Sequence, residues 1–368
     1  MARLKMQQSF LLAHLAFLLV RNSTEVDPPP SKDHPALFNL GDSLFDAGNN
    51  NYINTTTALQ ANFQPYGEIF FRHPTGRFSD GRLISDFIAE YAKLPLLPPY
   101  KQPGNHQFTY GVNFASAGAG ALSETFQGMV ISLKMQRANF NKVKKMLEQK
   151  LGEEGAKKLF SRAIYLFSIG SNDYFSTFLT NSTSVFQIYC KSQYVGMVTG
   201  NSTTLLKDIY KTGGRKFGFV NLGPLGCYPL ARAMNLGNTG ECLEELTTLV
   251  KLPNFNLPKV LKKLERRLQG FKYSIFDLYT SVSERMNSPS KYGFEEGKIV
   301  CCRSGPYMGL LSCGGTRGIK EYKLCSNPSQ YVFFDGGHGT EIAHRQLAKL
   351  MWEGAPDVVK PCNLKALF

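Results

Sequence analysis

Ala36-Leu37-Phe38-Asn39-Leu40-Gly41-Asp42-Ser43-Leu44-Phe45-Asp46-Ala47-Gly48-Asn49-Asn50 is the stretch whose reading decides the fold. Ala36 to Leu40 is short, mostly apolar and closed by a glycine, which is how a strand buried on both faces reads. A serine directly after such a strand sits on a tight turn at its carboxyl end, and open α/β sheets bind their ligands there. Two readings of Gly41-Asp42-Ser43 compete at this point. One is a nucleophile held on a turn; the other is a turn built from ordinary turn-forming residues.

The strand pattern recurs along the chain. Phe108 to Ala115, Ala163 to Ile169, Lys216 to Leu222 and Tyr273 to Asp277 read as further strands, and Tyr331-Val332-Phe333-Phe334 leads into Asp335-Gly336-Gly337-His338. Between them, helical spacing of apolar residues marks 81–91, 129–150, 185–211, 241–269 and 340–352. Pro253 and Pro258 predict a break or kink in the fourth of these. Residues 49–80 are rich in Asn, Thr, Phe and Gly without a period and read as a long surface loop. Strands alternating with helices imply a parallel sheet covered on both faces, a three-layer α/β/α sandwich. The strand ends after 40, 115, 169 and 222 all run into Gly-rich or small polar turns. In a parallel sheet those ends share one rim, so the chemistry belongs on that rim.

Composition narrows the function. The chain has 368 residues, of which 43% are hydrophobic, enough for a large core and too many for a disordered chain. The net charge of +14 is scattered rather than gathered on a stripe, which argues against a nucleic-acid partner and leaves attraction to an anionic cell-wall or lipid surface. Arg3 and Lys5 precede an apolar run from Phe10 to Val20, too short to span a bilayer and suited to a signal-peptide core. A buried N-terminal helix is the rival reading. The expected organisation is a signal peptide over 1–24 with a poorly formed cleavage site, an extended lead-in over 25–35 containing Pro28-Pro29-Pro30, and a single domain over 36–368. No other stretch reads as transmembrane. N-x-[ST] triplets at Asn22, Asn54, Asn181 and Asn201 are candidate glycosylation sites and agree with secretion.

Eight cysteines, an even number, permit disulfides in a secreted chain: Cys190, Cys227, Cys242, Cys301, Cys302, Cys313, Cys325 and Cys362. The sequence leaves their pairing open. Four of them cluster between 301 and 325 in a Gly-rich segment without hydrophobic periodicity, the kind of loop that gains most from covalent staples. A zinc site is disfavoured there, because the segment has no C-x-x-C and no nearby His.

A serine hydroxyl needs a base to take its proton. His338 differs from the other histidines because Asp335 stands three residues before it, close enough to hold Nδ1–H and aim Nε2 outward. The rival is an N-cap aspartate beside an exposed histidine. The reaction also needs donors for a developing oxyanion. The candidates are the backbone N–H of Ser43, the backbone N–H of Gly118 and the side-chain amide of Asn172. Gly118 and Gly120 also read as packing glycines, and Asn172 as a helix cap. Phe63, Tyr66, Tyr174 and Phe175 read as core rather than as an acyl pocket.

These pieces in this order resemble the plant GDSL-type esterase/lipase family of SGNH hydrolases. The resemblance rests on FNLGDSLFDAGNNNY, GVNFASAGAG, SIGSNDY and YVFFDGGHGTE, with support from PYGEIFFRHPTGRFSDGRLISDFIAE and NPSKYGFEE, and spans about residues 36–352. It implies a flavodoxin-like sandwich and hydrolysis of small-molecule or lipid carboxylic esters through an acyl-enzyme on Ser43. Gly118 and Asn172 would complete the oxyanion hole, His338 would be the base and Asp335 its orienter. It implies no metal and no organic cofactor. An alcohol in place of water as acceptor would make the protein an acyltransferase. The G-x-S-x-G elbow of ordinary lipases is absent. Departures from the family pattern are Ala117 for a glycine, Gly339 for the proline after the base, Arg303 for a glycine, and Pro253 and Pro258 inside a helix. They remove no catalytic group, but they motivate a rival, a secreted binding or defence protein with weak or no catalysis. The natural ester and the oligomeric state are not legible in the sequence.

Overall fold

The computed structural model describes residues 34–104, 106–179, 189–235, 240–303 and 313–368. The leader, Asn22 and Asn181 lie outside them. In chain order the elements are β1 (Leu37–Gly41), α1 (Ile84–Tyr91), β2 (Gly111–Asn113), α2 (Leu133–Arg162), β3 (Ile164–Ser168), α3 (Ser171–Leu179), α4 (Lys191–Lys211), β4 (Lys216–Val220) and α5 (Pro229–Met234). They continue as α6 (Glu244–Arg267), β5 (Lys272–Phe276), α7 (Leu278–Asn287), β6 (Glu296–Val300), β7 (Cys302–Arg303), β8 (Lys323–Leu324), β9 (Tyr331–Phe333), α8 (Glu341–Glu353) and β10 (Val359–Lys360).

The central sheet has the order β10-β5-β4-β3-β1-β2, parallel throughout except for β10 at its edge. The 2-1-3-4-5 order of its first five strands is that of a flavodoxin-like doubly wound fold, with the switch point between β1 and β3. Strand alternation explains the layers. Phe38 and Leu40 of β1 and Tyr165 and Phe167 of β3 face one core, shared with Phe140 of α2, Val195 of α4 and Leu249 of α6. Leu37, Ile164 and Leu166 point the other way, toward Phe87 of α1, Val282 of α7 and Met351 of α8. Both faces are buried, which is why the strands read as continuous apolar runs. A third, smaller cluster joins Tyr66, Phe78 and Phe334 to Cys301, Cys302, Cys313 and Cys325 beside the sheet.

One expectation needs refinement and another correction. Residues 49–80 form a long loop whose middle is largely exposed, as expected, but whose ends, with Tyr66 between them, are built into the interior. Asn49, Asn50, Tyr66, Phe78, Ser79 and Asp80 are all buried, held by side-chain hydrogen bonds and ring packing that leave no period in the sequence. The break at Pro253 and Pro258 is absent, since α6 runs continuously through both. Buried residues on either side of them, Leu249 and Val250 before and Leu261 and Leu264 after, pack the helix against the core and override the local preference. The helix expected at 129–150 starts at Leu133 and is interrupted at Gly152, whose φ of 73° and ψ of 164° are not helical, and a second helical segment then runs on to Arg162.

Candidate active site

Ser43 stands just past the end of β1, at the switch point. The strand arrives there in close contact with β3. Gly41 has φ +148°, and a Cβ on it would lie 2.0 Å from the carbonyl oxygen of Ser168, so only glycine fits. The side-chain amide of Gln136 brackets Gly41, accepting from its N–H at 2.8 Å and donating to its carbonyl at 2.8 Å. Three residues beyond the serine, the buried Asp46 carboxylate accepts the N–H groups of Gly48 and Asn49 on one oxygen and of Ala117 on the other, at 2.7–2.8 Å. Burial lifts its pKa to about 6 while these N–H donors pull it down. Asp46 thereby ties the nucleophile turn to the segment that carries Gly118.

Asp42, adjacent to the serine, is also buried. Its Oδ1 accepts from the Leu44 N–H and the Ser168 hydroxyl, while its Oδ2 has no hydrogen-bond partner among the described residues. Burial pushes this carboxyl up to about 7, against the pull of the Leu44 N–H and of the His338 charge.

Across from Ser43, β9 ends in a turn that doubles back on itself. The His338 carbonyl accepts the Phe334 N–H at 2.8 Å, and Gly339 bridges to Phe333. This turn places Nε2 of His338 2.8 Å from Oγ of Ser43 and Nδ1 2.7 Å from Oδ1 of Asp335. The same Oδ1 accepts the N–H groups of Gly337 and His338. Asp335 is no helix cap, since Thr340 caps α8. Burial alone would raise the Asp335 pKa. The His338 charge and hydrogen bond, Arg317 and Tyr66 outweigh it and leave the carboxyl at about 2, so it is ionised at neutral pH. Nearby on α8, His344 is buried with neither ring nitrogen bonded among the described residues, and burial drops its pKa to about 3.

Ser43, His338, Gly118 and Asn172 all line one cavity of about 140 Å³, whose wall is mostly apolar, with Leu59, Phe126, Phe175, Leu225 and Leu230. Gly118 has φ +80°, and a Cβ there would lie 2.6 Å from the Leu59 side chain. The N–H groups of Ser43 and Gly118 donate to no group among the described residues. One N–H of the Asn172 amide is used on the Ala119 carbonyl at 3.0 Å, which orients the side chain and leaves its second N–H. Next to it, the buried Asp173 carboxylate takes the N–H groups of Ala121 and Leu122 and the Thr125 hydroxyl, fixing α3 against the Gly118 segment. Of the aromatic residues assigned to the core, Tyr66 and Tyr174 are fully buried and Phe63 packs on the cysteine cluster, but Phe175 lines the cavity.

The cysteine cluster forms the Cys301–Cys325 and Cys302–Cys313 disulfides, and Cys227 pairs with Cys242. Asn54 and Asn201 are exposed, as glycan acceptors must be. Among the described residues no helix is long and apolar enough to cross a membrane. Sequence reasoning missed Asp46, Gln136, Asp173 and Arg317, and it read Tyr66 as core without its hydrogen bond to Asp335. Asp46 and Asp173 were visible only as acidic residues inside turn-like motifs, and Arg317 carried no signal.

Comparison with known proteins adds the following. The family profile described as GDSL-like Lipase/Acylhydrolase matches residues 37–351. The chain is 54% identical to GDSL esterase/lipase 2 of Arabidopsis thaliana, over 90% of this chain and 89% of that protein. It is 49% identical to a GDSL lipase of Tanacetum cinerariifolium, over 92% and 89%. It is 35% identical to an Arabidopsis protein named inactive GDSL esterase/lipase-like protein 25, over 90% of this chain and 74% of that one.

Proposed function

The chain belongs to the GDSL-like lipase/acylhydrolase family and is a carboxylic ester hydrolase, and we propose that Ser43 is its nucleophile, His338 its base and Asp335 the orienter of that base. The observation behind this reading is the unbroken line from Ser43 Oγ through the imidazole to the ionised Asp335, at 2.8 and 2.7 Å. Nε2 takes the hydroxyl proton as Oγ attacks the ester carbonyl. The oxyanion that forms is met by the Ser43 and Gly118 N–H groups and the Asn172 amide. Collapse expels the alcohol, which receives the proton from His338, and leaves an acyl group on Ser43. A water, activated by the same imidazole, then releases the acid.

The apolar wall suits an aliphatic acyl group. The complete array supports the catalytic reading over a purely binding role. The three disulfides and the leader-like start support secretion through an oxidising compartment.

A fluorophosphonate probe should label Ser43 stoichiometrically, and Ser43→Ala should abolish both labelling and turnover of p-nitrophenyl butyrate. Turnover persisting in that variant would remove Ser43 from the mechanism. Comparing butyrate with palmitate esters measures the chain-length preference, and added short alcohols would divert product to a new ester if acyl transfer competes.

A further inference from the structure

Tyr66 and Arg317 have no task in the mechanism above, yet they reach both of its parts. The two oxygens of Asp335 are used differently. Oδ1 serves His338 and the turn, whereas Oδ2 accepts the Tyr66 hydroxyl at 2.6 Å. The Tyr66 oxygen in turn accepts from Nη1 of Arg317 at 2.9 Å. The remaining guanidinium donors go elsewhere, Nε to the Thr57 carbonyl at 3.0 Å and Nη2 to the Gln60 carbonyl at 2.6 Å. Between those carbonyls lie Ala58 and Leu59, which line the cavity, and Leu59 lies against Gly118. The guanidinium carbon is 5.1–5.5 Å from the ring centroids of Phe63, Tyr66 and Phe78. Phe78 packs on the His338 imidazole at 4.6 Å. Arg317 itself comes from the segment between Cys313 and Cys325, both closed by disulfides to the Cys301-Cys302 pair.

We infer that Arg317 and Tyr66 are positioning residues. Arg317, acting through Tyr66, fixes the Asp335 carboxylate and simultaneously fixes the acyl-pocket wall at Ala58 and Leu59, so one side chain on the disulfide-closed loop sets both base and pocket. This rests on the triad reading given above. The hydroxyl of Tyr66 is suited to the task because burial pushes its pKa well above the ordinary tyrosine value, keeping it a donor. A guanidinium is needed because three acceptors in different directions require its forked donors, which an ammonium cannot reproduce.

The consequence for His338 has a direction. The titratable groups facing its imidazole are Asp335 on its own turn, Asp42 on the nucleophile turn and His344 on α8. Of these, Asp335 is the one bonded directly to the imidazole, and its second oxygen is held by the Tyr66 hydroxyl. Without Tyr66 O–H, the Asp335 charge concentrates on the imidazole side, holds the imidazolium more firmly and moves the acid limb of the rate–pH profile to higher pH.

The test is the rate of Ser43 labelling by a fluorophosphonate probe across pH, with KM and kcat for p-nitrophenyl butyrate. It compares the native chain with Tyr66→Phe, Arg317→Met, Arg317→Lys and the Tyr66→Phe/Arg317→Met double variant. Tyr66→Phe should label about ten-fold more slowly, the effect of one lost hydrogen bond to a charged group. Its acid limb should move up and its KM should be unchanged. Arg317→Met should show the same shift together with a raised KM, and Arg317→Lys should leave KM raised. The double variant should be no slower than Arg317→Met, because the two act in series. An acid limb at the native pH in both single variants, or losses that multiply in the double variant, would overturn the inference. If Arg317→Met does not fold, Tyr66→Phe, which deletes one oxygen, decides alone through its pH profile. Failure of the underlying triad reading would look different, since the native chain itself would not be labelled at Ser43.

Discussion

Ser43 and His338 face each other across 2.8 Å, but the chain holds them by different means. Behind Ser43 are the parallel sheet and a set of buried side chains, Gln136, Asp46 and Asp173, that bond almost entirely to backbone N–H and C=O groups of neighbouring turns. Behind His338 is a short strand outside the central sheet, β9 paired with β6, and then a chain of side chains ending on a disulfide-closed loop. The nucleophile half is part of the fold's own hydrogen bonding, so damage to it is damage to folding. The base half is appended, so its residues can be altered while the sandwich stands.

The largest effect that comparison predicts is on activity alone. His338→Ala should lower kcat by a factor on the order of 10³–10⁶, as removal of a triad member does. It should leave the thermal midpoint near that of the native chain. Calorimetry beside an ester assay checks this, and a large loss of stability would mean that the base half is not appended after all.

The opposite pattern is expected at Asp46. Asp46→Ala strands the N–H groups of Gly48, Asn49 and Ala117, each costing about 1–3 kcal/mol when buried without an acceptor. Stability should fall by several kcal/mol, with activity lost through unfolding, and denaturant titration measures it. Retention of native stability would show that water replaces the carboxylate easily and that the nucleophile half is looser than described.

Asp42 sharpens the contrast through pH. Its folded pKa is raised from 3.8 to about 7, so the fold holds that proton more tightly than the unfolded chain does. The stability this group contributes is therefore full below its ordinary value and is lost as pH rises toward 7. Asp335 is opposite, lowered to about 2, and its contribution is present at neutral pH and lost as pH falls from 3.8 toward 2. Asp42→Asn should flatten the decline in stability between pH 4 and 7. Because Asp42 is itself largely protonated below about pH 7, Asp42→Asn should leave the acid limb of ester hydrolysis near its native position. Tyr66→Phe, by contrast, moves that limb up. Unfolding midpoints and rate–pH profiles of the two variants, taken together, check the signs.

How much of this was legible follows from the same distinction. The sheet could be read because its strands are buried on both faces and so stay apolar over their whole length. The triad could be read because Asp335 and His338 are neighbours in sequence and Ser43 follows a strand. Asp46 and Asp173 could not be told from turn residues, since a carboxylate that binds backbone N–H groups has the same sequence signature whether exposed or buried. The buried parts of the 49–80 loop left no mark in the sequence, because their rings and amides pack without helical or strand period. Arg317 was invisible for a simpler reason: its partner Tyr66 is 251 positions away, and no local pattern marks a contact of that range.

The smallest effect concerns Gly339, where the family pattern has proline. The absence of that ring suggests a loosely placed base, but the surroundings argue otherwise. His338 is fixed by its N–H and Nδ1 on Asp335 and by its carbonyl on the Phe334 N–H, none of which involves Gly339. The bridge to Phe333 uses the His338 carbonyl and the Thr340 N–H, so the Gly339 N–H can be given up. Gly339 is not among the glycines with positive φ, and a Cβ on it would meet Ala343, His344 and Val332 at 3.5–3.6 Å, ordinary contact. Gly339→Pro should therefore raise stability by about 0.4–1 kcal/mol, acting by restricting the unfolded chain, and leave kcat unchanged. A clear rise in kcat would show that the turn's mobility limits catalysis, and the base half would then be held less firmly than its hydrogen bonds indicate. A loss of stability would mean instead that the turn needs a backbone angle at 339 that proline cannot take.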